Sequence, residues 1–370
     1  MVRDVSEKGI GARIGQAREA AGLSQGELAS EVSIARSAMN KIENGGRRVT
    51  AFELSEIARV LGRRMEWFLT EPTPAVVSHR QREGTSRRTI DAALEALTRE
   101  VQFVASLDDK FHLTSYAPRP VPQTAAEAEA LAGRVRSDLG LGDEPIADLV
   151  GAAGLLGLLA FSQPLGPDSA DGGSVLLEAG GVALVNSTAD VGRRRLTLAH
   201  EIGHFVVADE YTVDPSVLLH GSGDRESLID RFARALLCPD GPTRTYWHRQ
   251  VEAYDELRAA ALKSASHWRI DFATLARRLL DLEMVDEAQA QEVRSVRAVK
   301  ADYVELNLHV PGDMEKVSLP RAYEVAVLGL FRAETISASR ARDLLLGAYD
   351  EADLPERPVK PEQAAWQVVW

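Results

Sequence analysis

Cysteine is almost absent from this chain: Cys238 is the single one in 370 residues. One thiol excludes an internal disulfide framework and any zinc ribbon built on paired cysteines, and it fits a reducing compartment. Long apolar runs are missing too. The most apolar stretch, Leu149 to Phe161, is too short and too interrupted by glycine to cross a bilayer. The opening residues, Met-Val-Arg-Asp-Val-Ser-Glu-Lys, lack the apolar core of a secretory signal. A cytoplasmic protein without membrane attachment is expected. Positive charge is in deficit, with a net of −12, but unevenly so. Residues 1–90 carry 15 Lys/Arg against 11 Asp/Glu, and the rest carries 28 against 44. A mildly basic N-terminal part on an acidic body fits a nucleic-acid-touching module joined to something else. A length of 370 residues with 45% hydrophobic content predicts two or three domains with sizeable cores.

Histidine is scarce as well, eight in all, yet two of them fall four apart in His200-Glu201-Ile202-Gly203-His204. A helix stacks residues four apart on one face, so both rings can offer a nitrogen to one ion. Glu201 projects beside them, where a carboxylate can take a proton from water. Leu196, Leu198, Ala199, Ile202, Phe205, Val206 and Val207 predict that this helix is buried. A lone histidine on such a helix is ordinarily a core residue; a pair with glutamate between is not. Glu226 and Asp230, again four apart, supply a third ligand candidate and a residue to orient a ligand histidine. Two His and one Glu with an open fourth position is a catalytic, not a closed structural, zinc arrangement. Gly203 costs about 1 kcal/mol inside a helix, which predicts close packing against it.

Residues 10–69 read as five short helices. Ser24 and Glu27 form a capping box for the second, and Asn44-Gly45-Gly46 closes the third after Ala35 to Glu43. Ala51 to Leu61 and Met65 to Leu69 complete the bundle. Gly22-Leu23-Ser24-Gln25, Glu27-Leu28-Ala29, Arg36-Ser37 and Ile42-Glu43-Asn44-Gly45 resemble the XRE/Cro-type repressor domain over about 60 residues. That resemblance implies a helix-turn-helix reading double-stranded operator DNA. Its candidate contacts are Gln25, Arg36, Ser37, Asn40 and Lys41, with Arg47 and Arg48 near phosphates.

Glu71-Pro72-Thr73-Pro74 ends the bundle, and residues 70–89 read as a linker. Ile90, Leu94, Leu97, Val101 and Val104 then repeat at alternating spacings of four and three. Such a seam either joins two protomers as a homodimer or docks on the body. Tyr116 to Gln123 is a second connector. Further on, Thr124–Leu139 and Ile146–Leu156 read as helices, and Leu158–Ser162, Gly173–Glu178 and Gly181–Asn186 as strands. Gly181–Asn186 is the expected exposed edge, able to hold a substrate peptide by main-chain hydrogen bonds. After Pro239 the chain is expected to be helical over Thr243–Ser264, Phe272–Leu282, Asp286–Val293, Pro320–Phe331 and Ser337–Ala348, with a strand at Tyr303–Val310.

Residues 194–204 and Asp230-Arg231-Phe232-Ala233 through Leu236-Leu237-Cys238-Pro239 resemble the ImmA/IrrE metallopeptidase family over about 130–280. The resemblance implies a thermolysin-like (gluzincin) site with His200, His204 and Glu226 holding Zn²⁺ or Mn²⁺ and Glu201 as general base. Ile229 and Cys238 depart from that family's second motif, where a small residue and Met are usual. Tyr211, His220 and Tyr246 are candidate oxyanion donors. The expected architecture is multidomain. An all-α helix-turn-helix bundle (1–69) and a connector (70–123) precede an α+β metallopeptidase domain (124–285) and a helical C-terminal region (286–370) that is a candidate sensor. Two functions fit. In one, the protein is a DNA-bound regulator whose peptidase cleaves a helix-turn-helix repressor, in cis or on a partner. In the other, it is a repressor whose peptidase-like fold senses a ligand or metal without proteolysis.

Overall fold

The computed structural model describes residues 7–62, 65–69, 77–80, 88–114, 116–207, 222–254, 256–309 and 312–357. The chain divides into two compact units, Met1–Pro74 and Ala75–Trp370.

The first unit holds α1 (Glu7–Ala20), α2 (Gln25–Glu31), α3 (Arg36–Glu43), α4 (Ala51–Val60) and α5 (Met65–Leu69). Ser24 caps α2 in the expected box: its hydroxyl accepts from the Glu27 amide while the Glu27 carboxylate accepts from the Ser24 amide. Thr50 and Glu53 repeat the device at α4. Ile14, Leu28, Met39, Ile42, Ile57 and Phe68 form the core.

The second unit is built on a four-stranded sheet. Its elements are β1 (Val77–Arg80), α6 (Arg88–Leu107), α7 (Ala125–Asp138), α8 (Leu149–Leu156), β2 (Leu158–Gln163), β3 (Gly172–Leu176), β4 (Gly181–Asn186) and α9 (Val191–Val206). Among the described residues the α-helices that follow are α10 (Ser222–Leu237), α11 (Asp240–Ala253), α12 (Leu257–Trp268), α13 (Phe272–Asp281), α14 (Glu287–Ser295), α15 (Lys300–Glu305), α16 (Arg321–Arg332) and α17 (Ala338–Leu344). The strand order is β1-β3-β4-β2, with β2 parallel to β4 and the other pairs antiparallel. Alternation decides the layering. Leu158, Ala160, Ala183 and Val185 enter a core with α7–α10, α12 and α13, whereas Leu159, Phe161, Val182 and Leu184 enter one with α6, α16 and α17. Helices therefore cover both faces, and the small sheet is a central layer, not the segregated sheet of an α+β domain.

Several expectations are corrected. Gly181–Asn186 is not an edge: β4 lies between β3 and β2 and is buried at every residue, as its unbroken apolar run over Val182 to Val185 requires. The edge beside β3 is instead β1, a strand lying within the expected linker. Of the two placements open to Ile90, Leu94, Leu97, Val101 and Val104, the structure has the docked one: they pack into the second unit's own core. Tyr303–Val310 is not a strand. Asp302, the third residue of α15, accepts from the Val299 amide (2.7 Å) and pairs with Arg258 (2.7 Å), fixing a helical turn that leaves Val304 exposed. The helix expected over Thr243–Ser264 is two, α11 and α12, because Tyr254 turns extended and ends the first. The C-terminal region, expected as a separate sensor, contributes Tyr323, Val327 and Leu330 to the core that covers the sheet. Among the described residues no helix is long and apolar enough to cross a membrane.

Candidate metal centre and nucleic-acid interface

Helix α9 is fixed before its histidines are reached. Arg193, Arg194 and Arg195, consecutive on its first turns, are each anchored, the last two both on Asp313. Arg193 donates to Asp171 (3.0 Å), Arg194 to the carbonyls of Ala189 (2.8 Å) and Asp313 (3.0 Å), and Arg195 to the Ile146 carbonyl (2.6 Å) and the Asp313 carboxylate (2.8 Å). On the second half, Gly203 lets α10 close in. A Cβ built there would lie 2.8 Å from Phe232 Cδ1 and 2.9 Å from Ile229 Cγ2. The helix-weakening glycine is thus the packing site that its cost predicted, and Ile229, a departure from the related motif, is one of the side chains that fill it.

That approach brings α10 acids to α9 histidines. Nε2 of His200 and Nε2 of His204 are 3.0 Å apart, and Glu226 Oε2 lies 3.3 Å from the first and 3.5 Å from the second. All three donors fall within 4.8 Å of one another. Nitrogen and oxygen ligands about 2.1 Å from one tetrahedral ion sit about 3.4 Å from each other. The observed spacings bracket that value, so the donor set fits such an ion. Asp230 Oδ1 holds the other nitrogen of His200 at 2.9 Å, which fixes the ring and leaves Nε2 aimed at the cluster. Partial burial raises the Glu226 carboxyl, but hydrogen bonds and charge from His200 and His204 outweigh it and hold the group well below the usual carboxylate range.

Glu201 stands apart from this set. It is fully buried, its Oε2 accepts a hydrogen bond from Ser174 Oγ at 2.6 Å, and its Oε1 has no partner among the described residues. A buried carboxylate oxygen left without a donor is costly and asks for a ligand. Ser174, on β3, escaped the sequence reading; one serine in a short strand gives no signal until the strand's neighbour is known. Cys238 is a buried core residue whose thiol is pushed up to about 12 by burial. Tyr246 stacks on His267, with ring centroids 3.9 Å apart, and meets the edge of Trp268, an aromatic engagement of its own. Tyr211 and His220 lie outside the described residues.

In the first unit, Arg36, Ser37, Asn40 and Lys41 all lie exposed on α3. Gln25, at the start of α2, is held from both sides: it donates to Glu43 Oε2 (2.7 Å) and accepts from Asn40 Nδ2 (3.3 Å). Glu43 is itself gripped by Arg18 at 2.7 Å. The polar surface shared by α2 and α3 is therefore one network seated on a part-buried ion pair, and Arg18 and Glu43 are its members that composition alone did not reveal. Arg47 is paired with Glu53 at 2.7 Å, and Arg48 is exposed.

Residues 14–68 match the helix-turn-helix family, and residues 156–280 match the IrrE N-terminal-like domain. No curated protein matches the chain. Among solved structures, the crystal structure of ComR from Streptococcus suis aligns with 92% of this chain and 87% of that one, at 12% identity and a TM-score of 0.17. A superposition that loose carries no structural argument. The chain is a fusion of an XRE-type helix-turn-helix domain with an IrrE/ImmA-like domain of the M78 peptidase family.

Proposed function

We propose that this protein is a cytoplasmic, DNA-binding transcriptional regulator carrying a zinc-dependent, thermolysin-like endopeptidase, which cleaves a repressor protein to switch transcription. The observation that carries the reading is the pairing of a three-donor cluster (His200, His204, Glu226) with a buried carboxylate that is not part of it. A fold that only senses a metal has no use for Glu201.

His200, His204 and Glu226 would hold the ion, Zn²⁺ or Mn²⁺, and Asp230 would orient His200. When bound, such an ion supplies Lewis-acid chemistry, polarising a peptide carbonyl and making water more acidic near neutral pH. The division of labour within Glu201 follows from its contacts. Ser174 occupies Oε2, so Oε1 is the oxygen left to accept a proton from an attacking water and later to pass it to the departing amine. Burial strengthens that exchange by excluding competing solvent. The helix-turn-helix places the enzyme on operator DNA, with Gln25, Arg36, Ser37, Asn40 and Lys41 toward base edges and Arg47 and Arg48 toward phosphates. A substrate tethered near the site meets an effective concentration of order mM, so weak recognition suffices.

The test is metal analysis combined with incubation of wild type and Glu201→Gln with candidate helix-turn-helix repressors. Cleavage by the wild type alone, at equal metal content, supports the reading. Equal derepression in cells by the two proteins, with no fragments, leaves the peptidase fold as a sensor only.

A further inference from the structure

The edge of the sheet beside β3, the strand whose Ser174 bonds Glu201, is occupied by the chain's own connector. Val77–Arg80 forms β1, antiparallel to β3 in the register Val77↔Val175, Ser78↔Ser174, His79↔Gly173 and Arg80↔Gly172. It also packs against α9. The residue opposite Ser78 is thus the serine whose hydroxyl holds Glu201. Without β1, the free edge of β3 would be the exposed edge beside the site, the place where an extended peptide is held by main-chain hydrogen bonds. The sequence of β1 suits a held peptide better than a structural strand. Val-Ser-His-Arg has one apolar residue in four, a composition that leaves ladder hydrogen bonds as the main thing able to hold such a segment.

We propose that Val77–Arg80 is the peptidase's own substrate segment, seated in the substrate strand's place, and that hydrolysis in this strand or at its flanking bonds releases the helix-turn-helix from the body. The proposal rests on the peptidase reading above and names its substrate. Water adds to a carbonyl carbon of the segment and the peptide C–N bond breaks. The water's oxygen stays on the new carboxylate, and its two protons go to the departing amine, the first through Glu201, so that it leaves as an ammonium group. The reaction needs no other reactant. Two proteins result: a DNA-binding fragment without its acidic body and a body whose β3 edge is open.

The test uses the full chain with one equivalent of Zn²⁺, as wild type and as Glu201→Gln, and each of these with Ser78→Pro or His79→Pro. Neighbouring residues of a strand alternate in facing the partner, so one of the two prolines must remove a ladder donor. Hydrogen exchange on Glu201→Gln, with and without metal, reads the pairing independently of turnover. Peptides covering 77–80 and 172–176 should be protected, and one proline variant should lose that protection at least tenfold. Intact mass of the wild type should reveal two fragments with new termini in or beside β1, absent in Glu201→Gln and at least tenfold slower to appear in that proline variant. An unfolded protein supplied in trans separates the hypotheses. If wild type digests it while the connector stays intact, the peptidase stands and the connector is not its substrate. Exchange of 77–80 as fast as free peptide overturns the pairing. No turnover of either substrate at full metal content removes the peptidase reading and this proposal with it.

Discussion

Ser174 Oγ donates to Glu201 Oε2 at 2.6 Å, joining the second strand of the sheet to the acid of the metal-binding motif. In the proposed peptidase, the bond fixes which carboxylate oxygen is left for chemistry. Ser174→Ala should therefore reduce kcat by roughly 10- to 100-fold, the size expected for losing a buried hydrogen bond to a charged group, with KM and metal content little changed. Glu201→Gln should cost more, about 10²–10⁴-fold. Steady-state kinetics on one peptide substrate, with metal measured in the same samples, checks both. Equal losses in KM and metal content would make Ser174 a packing residue only.

The metal cluster predicts a graded series. His204→Ala should abolish stoichiometric binding, because it removes one of three converging donors. Asp230→Asn, which weakens the hold on His200 without removing a ligand, should lower affinity by about 10–100-fold. Competition against a chelator measures the order. Full metal retained by His200→Ala/His204→Ala would place the ion elsewhere.

Two glycines in helices should respond in opposite directions to alanine. Gly133 on α7 faces open space, and its replacement should stabilise by up to about 1 kcal/mol. Gly203 meets Phe232 and Ile229, both fully buried and unable to give way, so Gly203→Ala should destabilise by about 1–3 kcal/mol. Denaturant midpoints of the two variants decide it.

Glu129 on α7 accepts from Arg278 at 2.9 Å and Arg231 at 2.7 Å, tying α7 to α13 and α10. Burial raises its carboxyl, but the two guanidinium groups outweigh that and hold it below its ordinary value. A carboxyl depressed on folding contributes stability above its unfolded value, about 4.3, and loses it as pH falls through and below that point. Unfolding midpoints from pH 7 to 3 should fall in this window. Glu129→Gln should flatten the acid limb while costing about 3 kcal/mol at pH 7, since Arg278 is then buried without its counter-charge. An unchanged acid limb would show that other carboxylates set it.

On the DNA side, Arg36→Ala should relax base preference, worth about 1–3 kcal/mol at one position, with little change on random sequence. Arg47→Ala should weaken all sequences alike and lower the salt slope by about 1. Glu43→Gln should behave like a specificity mutant although it sits behind the surface, because it loosens Gln25. Salt titrations against an operator and a scrambled duplex separate the three.

Local chemistry was the legible part of this molecule. The Ser24 capping box, the i,i+4 histidines, the acids of α10 and the crowding at Gly203 follow from residue spacing, and a helix turns spacing directly into proximity. What escaped depends on partners far along the chain. Val77–Arg80 has no strand pattern of its own and is a strand because β3 offers an edge. Gly181–Asn186 is interior because it returns between β3 and the earlier β2, parallel to the latter. The α6 seam reads alike whether it meets a second copy or its own sheet, and only the sheet's apolar face settles that. Tyr303–Val310 has the alternation of a strand, yet among the described residues it pairs with no strand.

The anchoring of α9 sets an order on synthesis. Arg195 is sealed from solvent, and its counter-charge, Asp313, lies 118 residues further on. Elongation at about 5–20 residues per second puts several seconds between the two. Until the later segment leaves the ribosome, the helix bearing both histidines carries a guanidinium that cannot be buried, so the motif exists as sequence before it exists as a centre. If the centre is the proposed peptidase, a nascent chain is thereby kept from acting on polypeptide until Asp313 has emerged.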